Sequence, residues 1–150
     1  MSQSLSKVYI HLTFSTKKRA PIIDDNIKDS LWEYVGGICK GIGCDPVQVG
    51  GYTDHVHILC ALSKKITVSQ MIEDIKKQSS KWIKTKDPKY KDFYWQNGYG
   101  AFSVNPSEIE IVTTYIKNQE QHHKVYRYQE ELIAFLKKYH IEYDERYLWD

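Results

Sequence analysis

Between Lys7 and Ser15 the chain alternates strictly, with Val8, Ile10, Leu12 and Phe14 on one side and Tyr9, His11, Thr13 and Ser15 on the other. Period-two alternation marks a half-buried β-strand, and the basic Lys17-Lys18-Arg19 followed by Pro21 predicts its end. The period then becomes helical. Ile27, Leu31, Val35 and Ile38 recur at helical spacing after Asp24 or Asp25 as N-cap, which predicts a helix running to the glycines at 41 and 43, weakened by Gly36-Gly37. Two further strands, about Asp45 to Tyr52 and His55 to about Ser63, are joined by a turn at Thr53-Asp54 and form a hairpin. In the second, Val56, Ile58, Cys60 and Leu62 line one face, and His55, His57, Leu59 and Ala61 the other. A second amphipathic helix is expected from about Thr67 to Lys86, turning Val68, Met71, Ile72, Ile75, Trp82 and Ile83 inward. The aromatic, glycine-punctuated stretch Phe93 to Phe102 reads as strand, turn and strand. Ser107-x-x-Glu110 has the form of a capping box, predicting a third helix through Tyr115 and Gln119 to about His123. A fourth, from about Tyr128 to Tyr139, would bury Leu132, Phe135 and Leu136.

The order strand, helix, strand, strand, helix, strand predicts an α+β fold, a ferredoxin-like split β-α-β antiparallel sheet with additional C-terminal helices, the first of which carries Tyr115. Two helices would cover one face of the sheet. The other face, where the histidine pair is placed, would be covered by the C-terminal helices, a second subunit or a ligand. A chain of 150 residues can bury a proper core, and with no repeat, low-complexity tract or linker in it, residues 1–150 are expected to form one domain. No signal peptide and no apolar run of about 18 residues or more is present, so the expectation is a cytoplasmic protein with no membrane segment. Cys39, Cys44 and Cys60 make no C-x-x-C pair and are read as reduced structural thiols.

Composition matters once charge is divided along the chain. The net charge is +2, yet residues 64–91 hold nine lysines against three acids, a local +6. Such a segment suits a polyanion such as nucleic acid, whose counterions it would release, and equally suits a solvated helix face. Chemistry concentrates elsewhere. On a strand, His55 and His57 project from one side, with imidazoles close enough to share a metal ion. On a helix, Tyr115 and Gln119 at i and i+4 share a face. Neutral imidazoles favour transition metals, while an amide oxygen from Gln119 makes such a site tolerant of Mg²⁺ or Mn²⁺. Tyr115 lies at the margin of its helix's apolar face, a position suited to a cleft as well as to packing; as a nucleophile it needs activation, since a phenol ionises at a pKa of about 10. His122 shares the stripe and reads as a proton shuttle or as a cation at a helix C-terminus. His11 points to the histidine face and is not assigned as a ligand.

These residues carry a family resemblance. The chain resembles the single-tyrosine HUH transposases of the insertion sequence 200/605 family, with His55-Val56-His57 as the His-hydrophobic-His motif and Tyr115-Ile116-Lys117-Asn118-Gln119 as Y-x-x-x-Q. Phe14-Ser15-Thr16-Lys17, Gly50-Gly51-Tyr52-Thr53-Asp54 and Trp95-Gln96-Asn97-Gly98-Tyr99-Gly100 match as well. The resemblance implies a transposase that cuts and rejoins single-stranded DNA at hairpin-flanked ends. Tyr115 would attack a phosphate to give a 5′-phosphotyrosine, and His55, His57 and Gln119 would hold a divalent metal, Mg²⁺ or Mn²⁺. It further implies a homodimer in which the tyrosine can serve the partner's histidines. By the same analogy Lys17, Lys18, Arg19, Lys77, Lys81 and Lys84 would grip phosphates, and Trp95 or Tyr99 would stack on bases. The alternatives are a two-histidine phosphoesterase, which needs a second H-x-[S/T] motif that is absent, a larger HUH nuclease, for which the chain is small, and a domesticated or inactive transposase that only binds nucleic acid.

Overall fold

A computed structural model describes residues 2–149. Its centre is a four-stranded antiparallel sheet built from β1 (Tyr9–Ser15), β2 (Pro46–Tyr52), β3 (His55–Ala61) and β4 (Gly100–Val104), in the order β2-β3-β1-β4. With α1 (Lys28–Gly41) between β1 and β2 and α2 (Val68–Ile83) between β3 and β4, this is the expected split β-α-β arrangement. Three helices follow, α3 (Ile109–Lys117), α4 (Gln119–His123) and α5 (Tyr128–Lys138).

The alternation read from the sequence sorts the two faces. Ile10, Leu12 and Phe14 of β1 join Val56, Ile58 and Cys60 of β3 in one apolar layer, closed by Leu31, Val35 and Ile38 of α1 and Met71, Ile75 and Ile83 of α2. Thr67 starts α2 as its N-cap, its side chain accepting from the Gln70 N–H at 3.1 Å. The opposite face is covered by the C-terminal helices of the same chain. Phe102 packs with Tyr128, Leu132 and Leu136 of α5, and Leu59 and Val104 pack with Ile116 of α3. Helix α3 lies directly on the backbone of β2, because a Cβ on Gly50 would stand 2.9 Å from both Ile116 Cγ2 and its carbonyl oxygen.

Several predicted boundaries move. Val8 lies outside β1 and is about half exposed, at 48%. Asp24 folds the turn before α1, accepting the Asn26 N–H at 3.1 Å, so the helix begins four residues later, at Lys28. Ser107–Glu110 is not a capping box. Asn105 caps a short 3₁₀ turn over Pro106–Glu108, accepting the Ser107 N–H at 3.0 Å, and α3 starts only at Ile109. The third helix is also not continuous to His123, because Asn118 leaves helical geometry at φ −97° and ψ 22° and separates α3 from α4. Asparagine competes locally for backbone hydrogen bonds and is a weak helix former. Before Gly100 the aromatic stretch makes, among the described residues, only one β-bridge, Trp95 to Thr16. The Lys76 ammonium gathers the Gln96, Asn97 and Gly98 carbonyls at 2.7, 3.3 and 2.9 Å, drawing that loop to α2 rather than into the sheet.

Candidate active site

The turn Thr53-Asp54 sets the register that puts Tyr52 opposite His55, and period two then carries His55 and His57 onto the face away from α1 and α2. Both are fully buried. The turn is anchored to the end of β1, where the Thr16 N–H donates to the Asp54 carbonyl at 2.8 Å. Asp54 Oδ1 lies 2.7 Å from His55 Nδ1, a carboxylate that holds the proton on Nδ1 and directs Nε2 into the site. His57 is supported in a different way. Its Nδ1 faces His11 Nε2 at 2.8 Å, and its Nε2 faces Glu131 Oε1 at 2.8 Å.

Glu131 is the hub. It extends from α5, is 5% exposed, and draws together residues from three elements. The Tyr115 hydroxyl of α3 donates to its Oε2, the Gln119 amide donates to the same oxygen at 3.3 Å, and His123 Nε2 lies 3.2 Å from it. His55 Nε2 is 2.8 Å from Gln119 Oε1 and 3.5 Å from Glu131 Oε1. The Tyr115 ring stands 5.7 Å from that of His57. His122 Nε2, 3.2 Å from Glu131 Oε2 but misaligned, is a buried ring nitrogen with no hydrogen-bond partner among the described residues.

Burial dominates the electrostatics. It holds His57 below the ordinary histidine value and, with the neighbouring His57, pulls His11 down to about 3, so both rings stay neutral. Burial also opposes the Glu131 charge, but the hydrogen bonds from the His57 and His123 rings that face it outweigh the penalty and hold its pKa below the usual carboxylate range. For His123 burial is likewise outweighed, by its hydrogen bond to Glu131 and that charge, and its pKa is raised. Burial and then the Glu131 charge push the Tyr115 phenol well above its usual range, so it is a proton donor here rather than a phenolate.

Nitrogen and oxygen atoms of His55, His57, His123 and Glu131 all lie within 4.8 Å of one another. Ligands bound side by side to one ion at bonds of about 2.1 Å are separated by roughly 3 Å, so the contacts at 2.8 to 3.5 Å are also the spacings of co-ligands. The donor set fits a divalent metal.

The structure therefore brings together four residues singled out from sequence, His55, His57, Tyr115 and Gln119, on one chain. It adds Glu131 and His123, which the reading of the sequence did not assign, and makes His11 a support for His57. Glu131 left a trace in the sequence, because a lone acid occupies the buried stripe of α5 between Tyr128 and Leu132. Among the basic residues Lys17, Lys18, Lys77 and Lys81 are exposed, Lys84 sits over the Tyr94 ring at 4.2 Å, and Arg19 lies over Trp149 at 5.3 Å. Tyr99 is 43% exposed. Trp95 corrects its expected role as a base-stacking surface. It is buried edge-on against Phe14 and Phe93, with its Nε1–H donating to Ser79 Oγ at 2.9 Å, because its indole completes the apolar core.

The family model "Transposase IS200 like" matches residues 4–119. The chain belongs to that transposase family. The matched span includes the histidine pair, the tyrosine and the glutamine, and ends before Glu131. Among solved structures, the transposase chain is similar to a candidate transposase from Deinococcus radiodurans R1, with a TM-score of 0.62 and 22% identity over 79% of this chain and 98% of that one. It is also similar to a REP-associated tyrosine transposase bound to a REP hairpin, with a TM-score of 0.60 and 16% identity over 82% and 74% of the two chains. No curated protein matches the sequence. Among the described residues of this transposase, no helix is long and apolar enough to cross a membrane.

Proposed function

We propose that this transposase cuts and rejoins single-stranded DNA at hairpin-flanked ends through a 5′-phosphotyrosine on Tyr115. The observation that carries the reading is the convergence of the Tyr115 hydroxyl, both histidines and Gln119 on one buried point. Tyr115 attacks phosphorus as the bond to the 3′-oxygen breaks; the phenolic proton, which has the Glu131 carboxylate beside it as acceptor, is passed on to the departing 3′-oxygen, which leaves as a 3′-hydroxyl. A second 3′-hydroxyl then attacks the phosphotyrosine, restoring a phosphodiester and the free phenol without an external energy source. His55, His57 and Gln119 would hold a divalent ion, Mg²⁺ or Mn²⁺, which when bound supplies Lewis-acid polarisation of the phosphate and offsets the charge of Glu131. Asp54 and His11 orient the two imidazoles.

Lys17, Lys18, Arg19, Lys77, Lys81 and Lys84 would contact phosphates, and Tyr99 would stack on a base. That the hairpin-bound neighbour shares the fold supports a hairpin as substrate. Assembly as a homodimer is part of the proposal, although in this structure the tyrosine meets the histidines of its own chain.

The test uses labelled single-stranded hairpin DNA from the flanks of the gene, with Mg²⁺ or Mn²⁺. A covalent protein–DNA adduct on the 5′ side of the cut is expected on a denaturing gel, absent in Tyr115→Phe although that variant still binds the DNA. An adduct that persists in Tyr115→Phe defeats the nucleophile assignment. DNA binding by the parent protein without any adduct leaves the non-catalytic binding module as the function.

A further inference from the structure

Glu131 lies beyond the segment matched to the family, on a helix that no motif of the site includes. It nevertheless holds the centre of the cluster. Were α5 only a cover, the residue facing two buried histidines would be apolar like Tyr128, Leu132 and Leu136 along the same stripe. Burying a carboxylate is costly unless partners compensate it, and here the compensation comes from the ring nitrogens of the histidine cluster, with His57 Nε2 at 2.8 Å and His123 Nε2 at 3.2 Å. The ring nitrogen of His122, buried 3.2 Å from Oε2 without a hydrogen bond among the described residues, points to the same place.

We infer that Glu131, with His123 beside it, is a metal ligand, so that the metal centre of this protein is shared between strand β3 and the C-terminal helix α5. The inference rests on the reading of the site as a metal centre and adds to it which ion is held and what the ion fastens. Two imidazoles and an amide form a neutral set that would rely on DNA phosphate to complete it. The carboxylate supplies the charge that holds a cation without DNA, and the third imidazole supplies a nitrogen donor, which favours transition ions over Mg²⁺. The ion is then bound before DNA arrives, and it ties α5 to the sheet, because a ligand on each element makes metal binding and helix docking one equilibrium.

The test titrates MnCl₂, ZnCl₂ and MgCl₂ separately into the metal-free, DNA-free full chain by calorimetry. Mn²⁺ and Zn²⁺ should bind with one ion per chain and at least about tenfold tighter than Mg²⁺. Glu131→Gln, which keeps the size of the side chain and an acceptor oxygen, should weaken Mn²⁺ and Zn²⁺ by about tenfold or more, with His123→Ala weakening them less. Equal Mn²⁺ affinity in Glu131→Gln and parent, or no divalent binding by the DNA-free parent, overturns the inference and leaves the proposed function standing, which falls instead if no Tyr115–DNA adduct forms with Mg²⁺ or Mn²⁺. A second measurement needs no variant. Hydrogen exchange of the parent should slow across residues 128–138 when Mn²⁺ or Zn²⁺ is added, and slowing confined to residues 55–61 also overturns the inference.

Discussion

Under α1 and α2 the sheet presents Leu12, Phe14, Val56 and Ile58, all fully buried in one continuous apolar cluster. On the opposite face the middle is occupied by His11, Thr13, His55 and His57, and the apolar contacts divide into two small clusters on either side of them, one under α5 and one under α3. The first face holds the fold together through area removed from water. The second is secured by hydrogen bonds centred on the buried Glu131 carboxylate, each worth little net unless every partner is in place. A protein can afford that arrangement only with a strong core behind it. The consequence is an uneven stability, in which the cover carrying Tyr115, Gln119 and Glu131 opens at lower cost than the α1–α2 layer.

The comparison can be broken by unequal truncations. Phe14→Ala should cost about 3–5 kcal/mol and lower the melting of the whole chain. Leu132→Ala should cost about 2–3 kcal/mol, near the low end for such sites, with faster hydrogen exchange confined to the C-terminal helices and loss of the DNA adduct. Global unfolding by Leu132→Ala would show that the two faces form one cooperative unit. Asp54→Asn should be smaller, removing the carboxylate that orients His55 and weakening divalent-metal binding about 10- to 100-fold by calorimetry with little change in melting.

Acid should act on the polar face selectively. Because His11 is held neutral, with its pKa taken from the ordinary 6.5 to about 3, unfolded chains bind its proton first. Its stabilising contribution is full above pH 6.5 and is lost as the pH falls toward about 3. Glu131, held below its ordinary value, is lost in the same direction at lower pH, whereas His123, held above its own, contributes in acid and loses that contribution as the pH rises. Melting temperature should therefore fall between pH 7 and pH 4, less steeply in His11→Gln, and equal slopes would remove His11 from the account. The smallest effect is expected at the surface. Lys81→Ala should weaken single-stranded DNA binding modestly for all sequences and reduce the salt dependence by about 0.7 in the logarithmic slope, while leaving metal binding unchanged.

Much of this was legible in the chain. Alternation along residues 9–15 and 55–61 gave the strands, their faces and the placement of the histidine pair, since side-chain direction on a strand follows from position alone. The two-residue turn before His55 and the amphipathic helix after Thr67 were equally local. The boundaries that moved are those where side chains compete for backbone groups, Asn105 taking the cap expected of Ser107 and Lys76 drawing off the loop before β4. Trp95 shows the limit of reading aromatics by type, for nothing local says whether an indole faces DNA or the Ser79 hydroxyl.

By itself the sequence determined the split β-α-β order, the pairing of His55 with His57 on one face, and the Tyr115–Gln119 spacing, because each is a matter of period along a single element. Tertiary structure alone decided that α5 returns across the sheet and sets Glu131 among those residues, 74 positions beyond His57 in the chain. A contact of that range depends on how whole elements pack. Its only local sign is an acid within an apolar stripe, and that becomes meaningful when the opposing face is known.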